Sequence, residues 1–158
     1  MNKIIINSQI GEIAVFAENE KIIRLDLKTK EKADSVITEK VLLKAEKQLF
    51  EYFYGERKTF DIEFEFSGTE FQKSVWNELL KIPFGEMKTY GEIAKSIGKP
   101  KAARAVGSAC SKNPIAIIVP CHRVLGASGK LGGFAFGTET KEWLLCHEAK
   151  AKGEANEN

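Results

Sequence analysis

The chain changes texture once, at Ser67-Gly68, and that change divides it into two small units of different build. Before it, short β-branched segments are separated by polar turns. After it, apolar residues recur at helical spacing behind capping residues. Residues 3–6, 11–16 and 21–27 read as strands, with turns at Asn7-Ser8-Gln9 and Glu18-Asn19-Glu20, which makes a three-stranded meander. Residues 29–35 are polar and read as a loop. Val41, Leu42, Ala45, Leu49, Tyr52 and Phe53 predict an amphipathic helix over about 38–54, with Gly55 as its stop. Residues 60–66 alternate apolar and acidic side chains, the pattern of a half-buried strand. None of this gathers reactive groups, so residues 1–66 are expected to form a structural α+β domain.

Beyond Ser67 the helix signals are strong. Thr69-x-x-Gln72 is a capping box, followed by a stripe of Phe71, Val75, Leu79 and Leu80 with Trp76 beside it. Ile82-Pro83-Phe84-Gly85 ends that helix. Thr89-x-x-Glu92 opens a second, short helix through Ile93, Ala94 and Ile97 that stops at Gly98. Pro100 suits the first turn of a third, expected over 101–111 and ending before Asn113-Pro114. Two helices joined by a tight glycine-containing turn are a helix-turn-helix candidate. The later of the two is built from small residues around Ala102, Ala103 and Gly107, with Arg104 as its one long side chain. Small residues let a helix pack tightly on a neighbour, and they equally let it approach a nucleic-acid groove. A helix that reads bases in the major groove carries longer polar groups, whereas small residues with one arginine suit the minor groove. Charge favours the second use. Net charge is only +2, yet between Lys88 and Arg123 seven cations face one anion, Glu92.

The chemistry concentrates between Asn113 and Glu148. An apolar run, residues 115–119, is expected as a strand leading to Pro120-Cys121-His122. A glycine-rich turn follows (Gly126, Gly129, Gly132, Gly133), then a helix over 141–148. A buried cysteine is by default a small inert hydrophobe, and Cys110 and Cys146 fit that default. Cys121 does not: a proline fixes its backbone and a histidine is its neighbour. A histidine backed by a carboxylate is a general way to generate a thiolate, and Glu148 is the leading candidate for that carboxylate. Neighbours on extended backbone point to opposite sides, so Cys121 and His122 are expected to communicate through a water.

The remaining composition excludes other classes. With 43% hydrophobic and 29% charged residues the chain is ordinary for a globular protein. No apolar run approaches the roughly 20 residues needed to span a bilayer, and residues 1–3 open no signal peptide, so the expected compartment is the cytoplasm. Three cysteines are too few and too odd in number for a disulfide framework. Without any Cys-x-x-Cys pair they also make a poor zinc site, so no metal and no cofactor are expected.

Pro120-Cys121-His122-Arg123-Val124 resembles the active-site motif of the O6-alkylguanine-DNA alkyltransferases (methylated-DNA–protein-cysteine methyltransferases). The likeness runs from about Phe71 to Glu148. It includes residues 101–107, Asn113-Pro114, Gly132-Gly133 and Lys141-Glu142-Trp143-Leu144-Leu145, in order. It implies an α+β protein with a small ribonuclease H-like domain at 1–66 and a winged-helix-like domain with a helix-turn-helix at 67–150. A flexible tail is expected at 151–158. The implied partner is double-stranded DNA carrying alkylated guanine, met through the minor groove by a monomer with no membrane association and no cofactor.

The implied reaction is single-turnover repair. The damaged guanine is flipped into a pocket, and its O6-alkyl group, or that on O4 of thymine, passes irreversibly to Cys121. His122 would act as base through water, oriented by Glu148, with Asn113 bracing the turn. Tyr90 would help rotate the nucleotide, and Arg104 would fill the gap in the stack. Carbonyls of Cys121 and Val124 would accept from the guanine amine, and Lys141 with residues 132–135 would complete the wall. Ala102, Ala103, Gly107, Arg123, Phe134 and Ala135 also fall among the positions placed against DNA or base. The alternatives are a non-catalytic sensor of alkylated DNA, a thiol hydrolase and a transcription regulator. Cys121 argues against the first, the basic helix against the second and the short side chains of that helix against the third.

One position departs from the family pattern, which has a tyrosine where this chain has Phe134. Without that hydroxyl, backbone N–H groups near Ala135 must carry more of the leaving-group stabilisation. Phe134→Tyr is therefore expected to speed single-turnover alkyl transfer, by up to about tenfold, the factor for roughly 1.4 kcal/mol. An unchanged rapid-quench rate on a methylated duplex would count against this role for the missing hydroxyl.

Overall fold

Three strands, β1 (Asn2–Ser8), β2 (Gly11–Glu18) and β3 (Lys21–Asp26), form an antiparallel meander in the order β1-β2-β3. This computed structural model describes residues 2–34 and 36–156; Ser35, at the end of the expected loop, and residues 157–158 of the expected tail lie outside the described residues. The register pairs Ile4 with Val15 and Phe16 with Arg24, and it slips by a bulge at Phe16/Ala17. β2 is buried at five consecutive positions, Ile13 to Ala17, so both of its faces are covered.

Helix α1 (Lys40–Phe53) buries Val41, Leu42, Ala45, Leu49, Tyr52 and Phe53 against this core, at the expected spacing. Its N-terminus has no capping side chain of its own. The Glu20 carboxylate serves instead, accepting from the Lys40 and Val41 N–H groups at 3.2 and 3.0 Å. Glu20 comes from the β2–β3 turn, where it and Asn19 hold φ of 57° and 54°, the left-handed geometry of a tight hairpin. The strand expected over 60–66 reduces to a single parallel bridge, Phe64 with Ile22. Ile22 N–H donates to the Glu63 carbonyl and Glu65 N–H to the Ile22 carbonyl, each at 2.9 Å, and no longer ladder follows. The buried Gln48 amide clamps the Asp61 backbone from both sides and holds this segment extended. Pro114–Ala116 belongs to the same unit, with Ile115 bridged to Leu25.

The second unit comprises Ser67–Asn113 and Ile117–Asn158. Helix α2 (Glu70–Leu79) and helix α3 (Tyr90–Ser96) each begin in a complete capping box, Thr69/Gln72 and Thr89/Glu92. α3 ends with Gly98 at φ +77°; Gly98 N–H reaches the Lys95 carbonyl and Lys99 N–H the Ala94 carbonyl, at 3.0 and 2.8 Å. Nothing lies near where a Cβ would sit on Gly98, so glycine is needed there for its backbone freedom. Helix α4 (Ala103–Ser111) starts later than the sequence suggests, because Ala102 N–H first closes a separate turn onto Lys99. Strands β4 (Lys88–Thr89) and β5 (Val124–Leu125) pair in parallel.

The apolar run 115–119 is not a strand. It turns, fully buried, with Ile117 at φ +70°, a strained conformation for a β-branched residue. Helix α5 (Thr138–Asn156) continues well past the expected stop. Lys141, Leu144, Glu148 and Ala151 form its buried stripe, so the face that anchors it extends beyond residue 148 and includes two charges. Among the described residues no helix is long and apolar enough to cross a membrane.

Trp76 ties α2 to α4, its indole N–H donating to the Ala109 carbonyl at 2.9 Å in a buried setting. The Ala109 carbonyl also accepts from Lys112 N–H at 3.1 Å, so Trp76→Phe should lower unfolding free energy by about 1 kcal/mol, the net worth of one buried hydrogen bond. Urea titration checks this, and a midpoint equal to that of the unaltered protein would refute it.

Candidate active site

Cys121 is fixed by backbone geometry before any side chain acts on it. Pro120 precedes a single 3-10 turn, Cys121–Arg123, in which Arg123 N–H closes onto the Pro120 carbonyl at 3.0 Å. The Val119 carbonyl accepts twice: from Cys121 N–H at 2.9 Å and from the Asn113 side-chain amide at 2.7 Å. Asn113 therefore clamps the end of the α4 loop to the base of the turn. Cys121 is 6% exposed. The turn replaces the extended backbone expected at Cys121 and His122.

His122 and Glu148 are both buried, and His122 Nε2 lies 2.6 Å from Glu148 Oε2. Arg123 grips the same carboxylate in two places, Nε to Oε1 at 2.7 Å and Nη2 to Oε2 at 3.0 Å. Gly85 N–H adds a contact to Oε1 at 3.2 Å, and the remaining Arg123 nitrogen, Nη1, donates to the Ile82 carbonyl at 2.7 Å. This corrects the expectation for Arg123. Its guanidinium is consumed by Glu148 and Ile82, beside the Phe84 ring, and it does not face a nucleic acid.

Burial alone would raise the Glu148 carboxyl, but the hydrogen bonds and charges of His122 and Arg123 outweigh it and hold the group far below the usual carboxylate range. Arg123, charged at any relevant pH, is the dependable cause. Burial pushes the His122 imidazole down, the charges of Arg123 and Lys141 add to this, and Glu148 opposes it. The pair therefore rests as anionic Glu148 with neutral His122. In that state Nε2–H donates to the carboxylate and Nδ1 is left as an acceptor. Nδ1 is buried and has no hydrogen-bond partner. Burial likewise raises the Cys121 thiol, opposed by a hydrogen bond from Asn113 and the charge of Lys141.

The thiol opens into a cavity of ≈ 660 Å³. Tyr90 and Arg104 line it from α3 and α4, Phe134 and Ala135 from the glycine-rich loop. Lys141, wholly buried, lies with Nζ 3.4 Å from both the Tyr90 hydroxyl and the Gly133 carbonyl. Gly132 needs its glycine twice over: φ is +72°, and a Cβ would sit 3.2 Å from the Tyr90 oxygen.

The structure brings Tyr90, Arg104, Gly107, Cys121, Phe134 and Ala135 to one cavity, with Lys141 behind Tyr90. Ala103 reaches its edge, Ala102 is the N-cap of α4, and Val124 is buried in β5. Three participants were not foreseen. Ile82 and Gly85 hold the Arg123–Glu148 pair through backbone atoms, which leave no sequence signal. Cys110 lines the same cavity as Cys121 and had been set aside as inert.

Fold and site together define a thiol protein built on a helix-turn-helix. Residues 1–66 match the 6-O-methylguanine DNA methyltransferase ribonuclease-like domain, and residues 70–150 match the DNA binding domain of the same family. The chain is 53% identical over 146 residues to the methylated-DNA–protein-cysteine methyltransferase of Methanosarcina acetivorans, covering 89% of this chain and 94% of that one. It is 60% identical over 98 residues to the protein of that name from Mycobacterium tuberculosis, covering 62% and 59%. The Mycobacterium tuberculosis OGT solved in complex with DNA superposes with a TM-score of 0.88 at 43% identity, covering 96% of this chain and 94% of that one. The chain belongs to the 6-O-methylguanine DNA methyltransferase family, and its mixed α+β fold is that of the family.

Glu148 links site chemistry to stability. Its carboxyl ionises more readily in the fold than in the unfolded chain. Its contribution is thus complete above the ordinary carboxylate pKa of about 4.3 and is lost as pH falls toward the folded value. Glu148→Gln should cost about 3–5 kcal/mol at neutral pH by stranding buried Arg123, and should flatten the acid-side loss of stability. Urea midpoints measured from neutral pH down to about pH 2 test both parts; a variant with the same slope below about pH 4 as the unaltered protein would disprove the assignment.

Proposed function

We propose that Cys121 is the acceptor in this family's repair reaction, in which an alkyl group on O6 of guanine in duplex DNA passes to one of the protein's own cysteines. The observation that carries this reading is His122 Nδ1, buried and without a partner while Nε2 is held by an anionic Glu148. That imidazole can take the Cys121 proton, directly or across a water. The thiolate then attacks the alkyl carbon, an S–C bond forms as the C–O bond breaks, and the electron pair leaves on guanine O6. Guanine recovers a proton and departs as the normal base, and Cys121 remains as a thioether.

The roles of the other residues follow from their positions. DNA lies along α3 and α4, with α4 in the minor groove, where Ala102, Ala103 and Gly107 permit close approach. Arg104, exposed at the cavity mouth, fills the space of the extruded base. Lys141 donates to the Tyr90 oxygen, which leaves the Tyr90 hydroxyl proton free for the base. The Phe134–Ala135 loop forms the apolar wall, and the Val124 carbonyl accepts from the guanine amine. Arg123 is a positioning residue that keeps Glu148 charged. A thiol that must stay reduced suits a cytoplasmic compartment, and all three cysteines are free.

Mass spectrometry after incubation with a duplex containing O6-methylguanine tests the proposal. The expected result is one methylene adduct per chain, on the Cys121 peptide, with no further turnover. Cys121→Ser should still bind the duplex and gain no adduct. An adduct on another cysteine, or tight binding without any adduct, would falsify the assignment.

A further inference from the structure

The alkyl transfer leaves Cys110 unused. It sits in the last turn of α4, 7% exposed, and its side chain lines the cavity that holds Cys121. The two residues share one short hydrogen-bonded frame. The Cys110 carbonyl accepts from Asn113 N–H at 3.2 Å, and the Asn113 amide reaches the Val119 carbonyl at 2.7 Å. That carbonyl also takes Cys121 N–H at 2.9 Å. Burial pushes the Cys110 thiol up to about 12, the charge of Cys121 adds to the rise, and Lys141 opposes it. Cys146, by contrast, is exposed on α5 and lines no part of this space.

A thiol in a solvent-connected cavity of ≈ 660 Å³ is within reach of small oxidants. Once oxidised to a sulfenic acid, a cysteine that is not captured by a thiol is open to further oxidation to the sulfinic acid, which is irreversible. For a protein that works once per molecule, that loss equals a wasted repair.

We propose that Cys110 is a resolving thiol, which captures Cys121 after oxidation by a peroxide and holds it in a reversible intramolecular disulfide. In the first step the Cys121 sulfur attacks the peroxide O–O bond, giving the sulfenic acid and one molecule of water or alcohol. In the second the Cys110 sulfur attacks the Cys121 sulfur, the S–S bond forms as the S–O bond breaks, and hydroxide leaves with the Cys110 proton as water. Sulfur is oxidised and peroxide reduced, and a dithiol reductant restores both thiols. Cys121, with His122 next to it in the 3-10 turn to take its proton, reacts with the peroxide first, and Cys110 follows as the resolving thiol. The proposal takes from the preceding reading only that Cys121 is reactive.

The experiment treats the full-length protein with hydrogen peroxide, with and without later dithiothreitol, and reads intact mass, the linked peptides and recovered methyl transfer. The unaltered protein should lose two hydrogens, yield a Cys110–Cys121 peptide and regain its transfer capacity on reduction. Cys110→Ala, scored against its own untreated capacity, should instead gain oxygen at Cys121. It should become irrecoverable about tenfold faster, while Cys146→Ala should behave as the unaltered protein. Sulfinic acid in the unaltered protein, a disulfide through Cys146, or equal recovery of Cys110→Ala would each overturn the proposal. Disulfide formation without any methylene adduct on methylated DNA would sink the repair reading alone; an adduct without the disulfide would sink only this one.

Discussion

The turn that carries the thiol, the loop after α2 and helix α5 meet at the Glu148 carboxylate. Oε1 accepts from Arg123 and Gly85, Oε2 from His122 and Arg123, so four donors from two separate stretches converge on one buried group carried by a third. A buried ion pair is weak evidence for stability, because desolvating both charges costs much of what their attraction returns. Its effect here is geometric. The pair locks the turn at 121–123 to α5 and, through Ile82 and Gly85, to the loop after α2. It also settles protonation: Arg123 secures the Glu148 anion, the anion fixes the His122 tautomer, and the tautomer leaves Nδ1 free.

The thiol is treated in the opposite way. Its immediate surroundings are apolar, and burial favours the protonated form. The groups that favour the thiolate, the Asn113 amide and the Lys141 ammonium, act against that background. Displacing water from the cavity strengthens the pull of both groups and at the same time deepens the desolvation that favours the neutral thiol, so the two effects are set against each other at one atom.

What the sequence made legible was local. Both capping boxes formed as read, because each depends on residues three apart. The meander and α1 followed from period-two and helical patterns that packing did not override. What it hid was non-local. Residues 60–66 have a strand's alternation, yet only Phe64 finds a bridge partner. Residues 115–119 are apolar enough for a strand, but Ile117 turns the chain. The length of α5 was obscured because residues 149–153 are small or polar and only Ala151 among them is buried, too little for a hydrophobic pattern to mark as helix. Arg123 looked like a DNA contact because its partners are a carboxylate 25 positions away and a carbonyl 41 positions away. The nearness of Cys110 to the site had no sequence signal at all.

The small residues of α4 had two readings, tight packing or close approach to a groove, and the helix supports both on opposite faces. Val106, Ala109 and Cys110 are buried, and Ala109 offers its carbonyl to the Trp76 indole. A Cβ on Gly107 would lie 3.9 Å from the Tyr90 ring, ordinary van der Waals contact, so the packing of α4 there does not itself require glycine. Arg104, Ala105 and Ser108 are exposed. Between Ala103 and Ser111, Arg104 is the only long side chain. A helix with that outer face has little with which to distinguish one base pair from another, and it can lie deep in a groove with a single probe extended. Such a surface is poorly suited to recognising a sequence and well suited to finding one altered base wherever it occurs. Under the proposed function, discrimination falls to the cavity beside Cys121.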